Sequence, residues 1–165
     1  MIGNDVVDLD LARSQSAWKR KGFLDKLFLP QEQQLIWTAE NPEQMVWNLW
    51  TRKEAAYKIF NRQTQIRAFN PLQFACSVND TFEGTVAIQN QIYSTRTEIK
   101  KSSMYTIAVS DAAFFSKIQV LSPEATIGKE NGIPYWTHPV TQAKNPASIT
   151  HHGRFWNGIY LDLNY

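Results

Sequence analysis

At residues 50–58 the sequence is WTRKEAAYK, and this stretch forms the centre of the longest helix that we predict. Asn41 and Pro42 supply a capping side chain and a first-turn proline, which are typical of a helix start. We expect the helix to continue to about Phe60. Because it is the longest element, the rest of the fold should pack against it.

The same stretch carries two charged side chains of interest. Glu54 and Lys58 stand four residues apart, which places them on one helix face, close to Trp47 and Trp50. A Glu followed by a Lys at this spacing is also the favourable arrangement for an exposed ion pair, worth only about 0.2–0.5 kcal/mol. The helix alone leaves both interpretations open.

The residues around this helix predict shorter elements. Residues 1–9 contain clustered β-branched side chains and predict a strand. Two shorter helices should follow, at residues 11–27 and 30–39. From residue 70 onward, apolar residues fall in short stretches with partial alternation, which predicts strands.

Turn-forming residues divide the strand-rich part, and a polar loop through Asn145-Pro146 should precede a closing strand from Phe155 to Leu163. Further boundaries are expected at Gly84, Asn90, Asp111 and Ser122-Pro123. The fold class is therefore α+β, with an antiparallel sheet packed against one long helix plus shorter helices, in a single domain of residues 1–165.

Composition narrows the class of protein. Of 165 residues, 43% are hydrophobic and 13% aromatic, which is ample for one buried core. We expect a cytoplasmic protein, because no apolar run of about 18 residues and no signal-type region occur. Cys76 is the single cysteine and should be a structural thiol.

Charge is small overall and concentrated in one place. The net charge of +2 is too low to indicate a nucleic-acid surface. Residues 13–26 are amphipathic, and they form either a solvated helix face or a docking surface for an acidic partner. The basic side chains of this segment are Arg13, Lys19, Arg20, Lys21 and Lys26.

Asp5 and Glu54 are candidate magnesium ligands. Magnesium prefers oxygen ligands, keeps several waters and usually takes one or two protein carboxylates, so this pair would suffice. Two simpler interpretations also stand at this point. Asp5 could cap the turn after the first strand, and Glu54 could be an exposed helix residue.

Residues 150–154 form a third polar group, Thr-His-His-Gly-Arg, at a predicted strand end. Arginine and histidine both donate to phosphate oxygens, so the group suits a phosphate. A zinc fragment or simple loop polarity are the alternatives. Zinc is disfavoured, because adjacent histidines on an extended segment point to opposite sides and His138 is the only other histidine.

In this order, the three pieces resemble the 4'-phosphopantetheinyl transferase superfamily, specifically its holo-acyl-carrier-protein synthase type. The family's Gly-x-Asp strand is matched by residues 3–5, with Asp8 as a further acid. Its aromatic-x-x-Lys-Glu-Ala-x-x-Lys helix is matched by residues 50–58. Its Gly-x-Pro turn and Ser-x-Ser-His strand are matched by residues 132–134 and 148–151, with Thr150 in place of the second serine.

The resemblance implies transfer of the 4'-phosphopantetheine arm of coenzyme A to a serine of an apo acyl or peptidyl carrier protein, with release of adenosine 3',5'-bisphosphate. Asp5 and Glu54 would hold magnesium, and Glu54 and Lys58 would be catalytic. Lys58 would contact the phosphates or act near the serine proton. The base would be Glu54 or a water on the metal.

The resemblance also implies contacts and partners. Lys53, Thr150, His151 and Arg154 would bind coenzyme A, with His151 at a phosphate. An acidic carrier helix would favour docking on residues 13–26. Small relatives form trimers with shared active sites, so a homo-oligomer is expected, with a trimer favoured. The carrier is left open between fatty acid biosynthesis, polyketide, nonribosomal peptide and dedicated pathways.

Two rival functions remain. The first is a relative that binds coenzyme A or a carrier without transferring anything, against which the joint presence of Asp5, Glu54 and Lys58 argues. The second is an aromatic-rich nucleic-acid-binding module. Near-neutral charge and the Trp-rich helix favour core packing instead, so we expect neither a nucleic-acid nor a membrane partner.

Overall fold

The computed structural model describes residues 1–163. In it, one strand comes first along the chain, the four α-helices follow, and the other strands come after them. The helices are α1 (Leu9–Gln15), α2 (Phe23–Leu27), α3 (Pro30–Thr38) and α4 (Pro42–Thr64), with short 3₁₀ turns at Pro71–Gln73 and Ala112–Lys117. The strands are β1 (Ile2–Asp8), β2 (Ala75–Val78), β3 (Glu83–Ile88), β4 (Gln91–Ile99), β5 (Ser103–Val109), β6 (Ile118–Leu121), β7 (Ile127–Glu130), β8 (Ile133–Thr137), β9 (Lys144–His152) and β10 (Phe155–Leu161).

The strands form two antiparallel sheets of five strands each. In the first sheet the order is β1-β5-β4-β3-β2, and in the second it is β6-β10-β9-β8-β7. Helix α4 lies against β1 and β5 of the first sheet, while β1 also contacts β9 and β10 of the second. The predicted α+β class is confirmed, with two sheets where the sequence analysis expected one.

Helix α4 begins and packs as its sequence predicts. The Asn41 side chain accepts a hydrogen bond of 3.1 Å from the Gln44 amide, which satisfies one of the free N–H groups of the first turn. The helix ends at Thr64, four residues later than expected, where Gln65 takes a left-handed conformation. Its apolar face is buried in the main core, where each large side chain contributes about 1.5–3 kcal/mol. That face includes Val46, Leu49, Ala56, Ile59 and Phe60.

Three local predictions are wrong. The helix expected at residues 11–27 is divided into α1 and α2, because Gly22 turns the chain with a φ of +78°. Gly84 lies inside β3, where the Ser77 carbonyl oxygen and the Arg52 guanidinium occupy the space that a larger side chain would need. Asn145-Pro146 belongs to β9, and the missing N–H of Pro146 costs little because pairing with β10 reaches only to Ala147.

Several other predictions from the sequence agree with the structure, in whole or in part. Residues 1–9 form β1, residues 30–39 contain α3, and the closing strand β10 starts at Phe155 as predicted, although it ends at Leu161. Cys76 is buried in the core, as a structural thiol should be. Among the described residues, no helix has the length and apolar character needed to cross a membrane.

Candidate active site

The site begins where β1 crosses α4. A side chain at Gly3 would meet the Ala55 carbonyl oxygen at 2.0 Å, so the strand and the helix approach this closely only because residue 3 is a glycine. The close approach sets Asp5, two residues along β1, beside the helix face that carries Glu54 and Lys58. Two segments nearly 50 residues apart in sequence therefore share one site.

Lys58 is held tightly at this crossing. Its ammonium group donates to the Asn4 carbonyl oxygen at 2.5 Å and to the Ile149 carbonyl oxygen at 3.1 Å. It also lies 3.9 Å from Oδ1 of Asp5. The interpretation of Glu54 and Lys58 as an exposed ion pair is therefore wrong, because the lysine is largely buried between the helix and both sheets.

Strand β9 brings the second part of the site. The Thr150 hydroxyl donates to Oδ1 of Asp5 at 2.9 Å. This is a bond that a serine could also make, so the departure from the family pattern at Thr150 keeps the hydroxyl. Asp5 therefore does not cap the turn after β1; that role belongs to Asp8, whose carboxylate accepts from the Asp10 and Leu11 amides.

Two clefts meet at this cluster. The first, of about 510 Å³, is lined by Asp5 and Glu54 together with Trp47, Trp50, Arg20 and Phe23. The second, of about 340 Å³, is lined by Lys58 with Arg62 and Lys129. His151 lines both clefts. An extended ligand could thus pass from one cleft to the other across Asp5, Lys58 and His151.

The electrostatics of the cluster are costly for its acids. Burial raises the pKa of Asp5, while Lys58 and the Thr150 hydroxyl act against that rise. Burial, with the neighbouring Asp5 carboxylate, raises the pKa of Glu54 to about 7. Burial lowers the pKa of Lys58, although both carboxylates oppose this. Two acids are therefore held together at a point where their joint negative charge is poorly solvated.

Such a pair fits a divalent cation. A bound cation would offset the burial and the repulsion from Asp5 that together raise the pKa of Glu54, and carboxylate oxygens are ligands that magnesium accepts. Within residues 1–163, no group of three or more His, Cys, Asp and Glu side chains is arranged to hold a metal. The donor set that remains is the pair Asp5 and Glu54, which suits an ion that keeps water ligands.

Lys53 does not belong to the cluster. The motif predicts it as a coenzyme A contact, but its side chain is fully buried and its ammonium group lies 2.7 Å from Oε2 of Glu32. It also donates to the Pro71 carbonyl oxygen at 2.8 Å. The helical spacing explains the difference: Lys53 precedes Glu54 by one residue and so points into the core, where it holds α3 and α4 together.

Arg154 also lies apart from the cluster. Its guanidinium pairs with Asp8, at 3.2 Å between Nε and Oδ2, and with Asp10. Neither cleft is lined by it. A role for Arg154 in binding coenzyme A stays a prediction, and in this structure the side chain instead links the β9–β10 turn to the start of α1.

One buried polar residue at the site, Asn4, was not predicted from the sequence. Asn4 is fully buried, and its amide group donates to the Tyr105 hydroxyl at 3.0 Å and to the Asn157 carbonyl oxygen at 3.1 Å. A signal was present in the sequence, because an asparagine among the β-branched residues of β1 needs buried partners. Those partners are distant in sequence and could not be named from it.

The model of the 4'-phosphopantetheinyl transferase superfamily matches residues 1–111 of the chain. The chain belongs to this superfamily. The match covers two thirds of the sequence and includes Asp5, Glu54 and Lys58 with the whole first sheet. Members of the superfamily are phosphopantetheinyl transferases, so coenzyme A and a carrier protein are the partners that membership implies. A search among curated proteins finds no match.

The superfamily match ends just before the second sheet. Thr150 and His151, which β9 brings to Asp5 and Lys58, therefore lie outside the matched residues. Their resemblance to the family's Ser-x-Ser-His strand rests on the sequence pattern, and their position beside the matched residues is independent support from the fold.

Proposed function

We propose that this chain is a magnesium-dependent phosphopantetheinyl transferase of the holo-acyl-carrier-protein synthase type. It would transfer the 4'-phosphopantetheine arm from coenzyme A to a serine of an apo acyl or peptidyl carrier protein. The observation that carries this proposal is the meeting of Asp5, Glu54 and Lys58 with Thr150 and His151 at the junction of two clefts.

In this proposal, Asp5 and Glu54 hold the metal. When bound, magnesium neutralises charge on the transferring phosphoryl group and fixes its orientation. The raised pKa of Glu54 supports this role, because burial and the neighbouring Asp5 carboxylate disfavour its ionised form, which a bound cation would favour.

The remaining groups bind and orient coenzyme A. Lys58 presents a partly buried positive charge to the phosphates from the second cleft, where the charge is less screened than in open solvent. His151 donates to a phosphate oxygen, with the ribose 3'-phosphate as the proposed target, and Thr150 keeps the carboxylate of Asp5 oriented. These contacts place the pyrophosphate next to the two carboxylates.

The serine of the carrier then attacks the phosphorus atom of the β-phosphate. A bond forms between the serine oxygen and phosphorus, the bond to the bridging oxygen breaks, and adenosine 3',5'-bisphosphate leaves. The serine proton needs an acceptor. Glu54 is one candidate for that role, and a water held by the metal is the alternative.

The first cleft supports a site for the carrier. Arg20 lines it, and Lys19, Lys21 and Lys26 are further basic residues on the same segment, residues 13–26. An acidic carrier surface docked there would bring its serine towards Asp5 and Glu54. Its association should weaken with added salt, because the attraction is between exposed charges. The homo-oligomer, with a trimer favoured, stays a prediction.

The test is intact-protein mass spectrometry of apo carriers from fatty acid, polyketide and nonribosomal peptide systems, each incubated with coenzyme A, magnesium and this protein. A carrier that gains the mass of one phosphopantetheine arm supports the proposal. Glu54→Ala and a chelator should abolish the gain, and Glu124→Ala, at an exposed acid in a distant turn, should not. If no carrier is modified while coenzyme A still binds, the non-catalytic interpretation replaces this one.

A further inference from the structure

Strand β1, which carries Asp5, is the edge strand of the first sheet. Strand β9, which carries Thr150 and His151, is the central strand of the second sheet, and its backbone is paired with β8 and β10. The two strands contact each other extensively, yet no backbone hydrogen bond joins them in the described residues. Beyond Pro146, β9 pairs with β10 alone, and on its other side the Ile149 carbonyl oxygen accepts from Lys58.

Side chains of β9 replace that missing pairing. Along β1, alternate amides point away from β5, and each of three successive ones donates to a side chain of β9. We call this set the side-chain ladder. Its three hydrogen bonds run from the Asn4 amide to Ser148 Oγ at 3.1 Å, from the Val6 amide to Thr150 Oγ1 at 3.3 Å, and from the Asp8 amide to His152 Nδ1 at 2.8 Å.

In two of the three hydrogen bonds of the ladder, which we call rungs, the hydroxyl of β9 also donates to a side chain of β1. The Ser148 hydroxyl donates to Oδ1 of Asn4 at 2.7 Å, and the Thr150 hydroxyl donates to Oδ1 of Asp5 at 2.9 Å. Each hydroxyl therefore accepts from the backbone of β1 and donates to one of its side chains. Both the oxygen and the nitrogen of the Asn4 carboxamide are thereby used, because Nδ2 donates to the Tyr105 hydroxyl and the Asn157 carbonyl oxygen.

The third hydrogen bond of the ladder fixes the tautomer of His152. Because Nδ1 of His152 accepts the Asp8 amide, that nitrogen carries no proton, and in the neutral ring the proton is on Nε2. This hydrogen bond requires an acceptor at the position of Nδ1 and does not involve Nε2. This separates a positioning role of His152 from a direct contact with substrate.

We propose that the side-chain ladder is the device that completes the active site within one chain, with Ser148, His152 and Asn4 as positioning residues. It sets the register of β9 against β1, since a shift by one residue would turn all three rungs to the other face. Thr150 and His151 are thereby held opposite Asp5 and Lys58 of the same chain. The groups that β9 adds to the site then come from the same chain as Asp5 and Glu54.

The inference rests on the proposed function for its activity readout, so the first experiment combines two impaired chains. Glu54→Ala and the double variant Thr150→Val/His151→Ala are co-expressed and assayed for carrier loading. A single-chain site predicts no activity above that of the two variants alone. A site shared between copies would restore about a quarter of the wild-type sites in a mixed symmetric oligomer, and that result would overturn the inference.

The second experiment separates the hydrogen bond that Nδ1 of His152 accepts from any other role of the imidazole ring. His152→Asn keeps an oxygen acceptor near the position of Nδ1, whereas His152→Ala removes it. We expect His152→Asn to keep kcat within about threefold of wild type, and His152→Ala to lose on the order of tenfold in kcat with little change in the KM for the carrier. If the asparagine variant is as impaired as the alanine variant, the positioning role is wrong.

A third readout does not depend on activity. Hydrogen exchange of the Asp8 amide, followed by NMR, should speed up at least tenfold in His152→Ala and stay slow in His152→Asn. Ser148→Ala should do the same to the Asn4 amide while the Asp8 amide stays protected. If wild type loads no carrier, the proposed function fails, yet these exchange rates still decide whether the ladder exists; unchanged exchange in both alanine variants would refute it.

Discussion

The two halves of the site differ in kind. The half built on β1 and α4, within residues 1–111, supplies the three charged groups at the junction of the clefts: Asp5, Glu54 and Lys58. The half built on β9 supplies a hydroxyl and an imidazole, from Thr150 and His151. Charges at a poorly solvated site can be worth several kcal/mol, whereas neutral donors are worth about 1 kcal/mol each. The first half should therefore set the chemistry, and the second should orient it.

The largest expected effect is on the charged half. Glu54→Ala should lower kcat for carrier loading by at least about 1000-fold, because it removes the proposed metal ligand and candidate base together. Steady-state assays with the exposed control Glu124→Ala and circular dichroism to confirm folding provide the check. A loss of less than tenfold would show that Glu54 is not at the chemical centre.

The buried pair Lys53–Glu32 tests whether every charge of the helix motif serves the site. Lys53→Met should lower the free energy of unfolding by about 3–5 kcal/mol, because it leaves Glu32 buried without a counter-ion. Denaturant titration measures this, and the matched double variant Lys53→Met/Glu32→Gln should recover most of the loss. The folded double variant should keep the wild-type KM for coenzyme A. A large rise in KM would show that Lys53 contributes to binding coenzyme A.

An intermediate effect is expected on stability as the pH changes. The pKa of Glu54 is raised from 4.5 to about 7 in the folded protein, so the folded state favours the protonated acid. Its contribution is fully present below about pH 4.5 and is lost as the pH rises through 7, at a cost of about 2 kcal/mol after allowing for partial exposure.

Denaturant titrations of the metal-free protein at pH 5 and pH 8 measure this cost. Glu54→Gln should remove that part of the pH dependence, and saturating magnesium should restore stability at pH 8 in wild type but not in the variant. Equal pH dependence in wild type and variant would contradict the pKa of Glu54.

The smallest effect is expected on the orienting half. Thr150→Val keeps the shape of the side chain but removes the hydroxyl that binds Asp5, and kcat should fall about 10- to 100-fold. Thr150→Ser, the residue typical of the family at this position, is the matched control and should stay within about threefold. If Thr150→Val were as damaging as Glu54→Ala, the division between chemistry and orientation would be wrong.

The sequence predicts the charged half well and the orienting half only in part. Helix α4 and strand β1 follow from local signals, namely the Asn41 cap, the proline after it and the β-branched residues near the N-terminus. The roles of Lys53 and Lys58 could not be separated in this way. Both belong to one motif, and only packing shows that Lys53 points into the core while Lys58 reaches β9.

The second sheet shows why the remainder escaped prediction. Partial alternation predicted β6, and a closing strand was expected at β10, but β7 and β8 were not predicted. Nothing local indicates that β9 would dock by its side chains on the edge of β1. The pairing of Ser148 with Asn4 joins residues 144 positions apart, so neither residue alone indicates the other. Likewise, Gly22 divides a helix that its amphipathic pattern favours, because the backbone conformation there outweighs the pattern.

The central claim is that residues 1–111 and strand β9 together form one phosphopantetheine-transferring site. It is tested most directly by the mass of an apo carrier after incubation with coenzyme A and wild type, Glu54→Ala or Thr150→Val, with magnesium or a chelator. The account predicts full loading by wild type with magnesium, slow loading by Thr150→Val, and none by Glu54→Ala or with chelator. Loading by Glu54→Ala at the wild-type rate would contradict it.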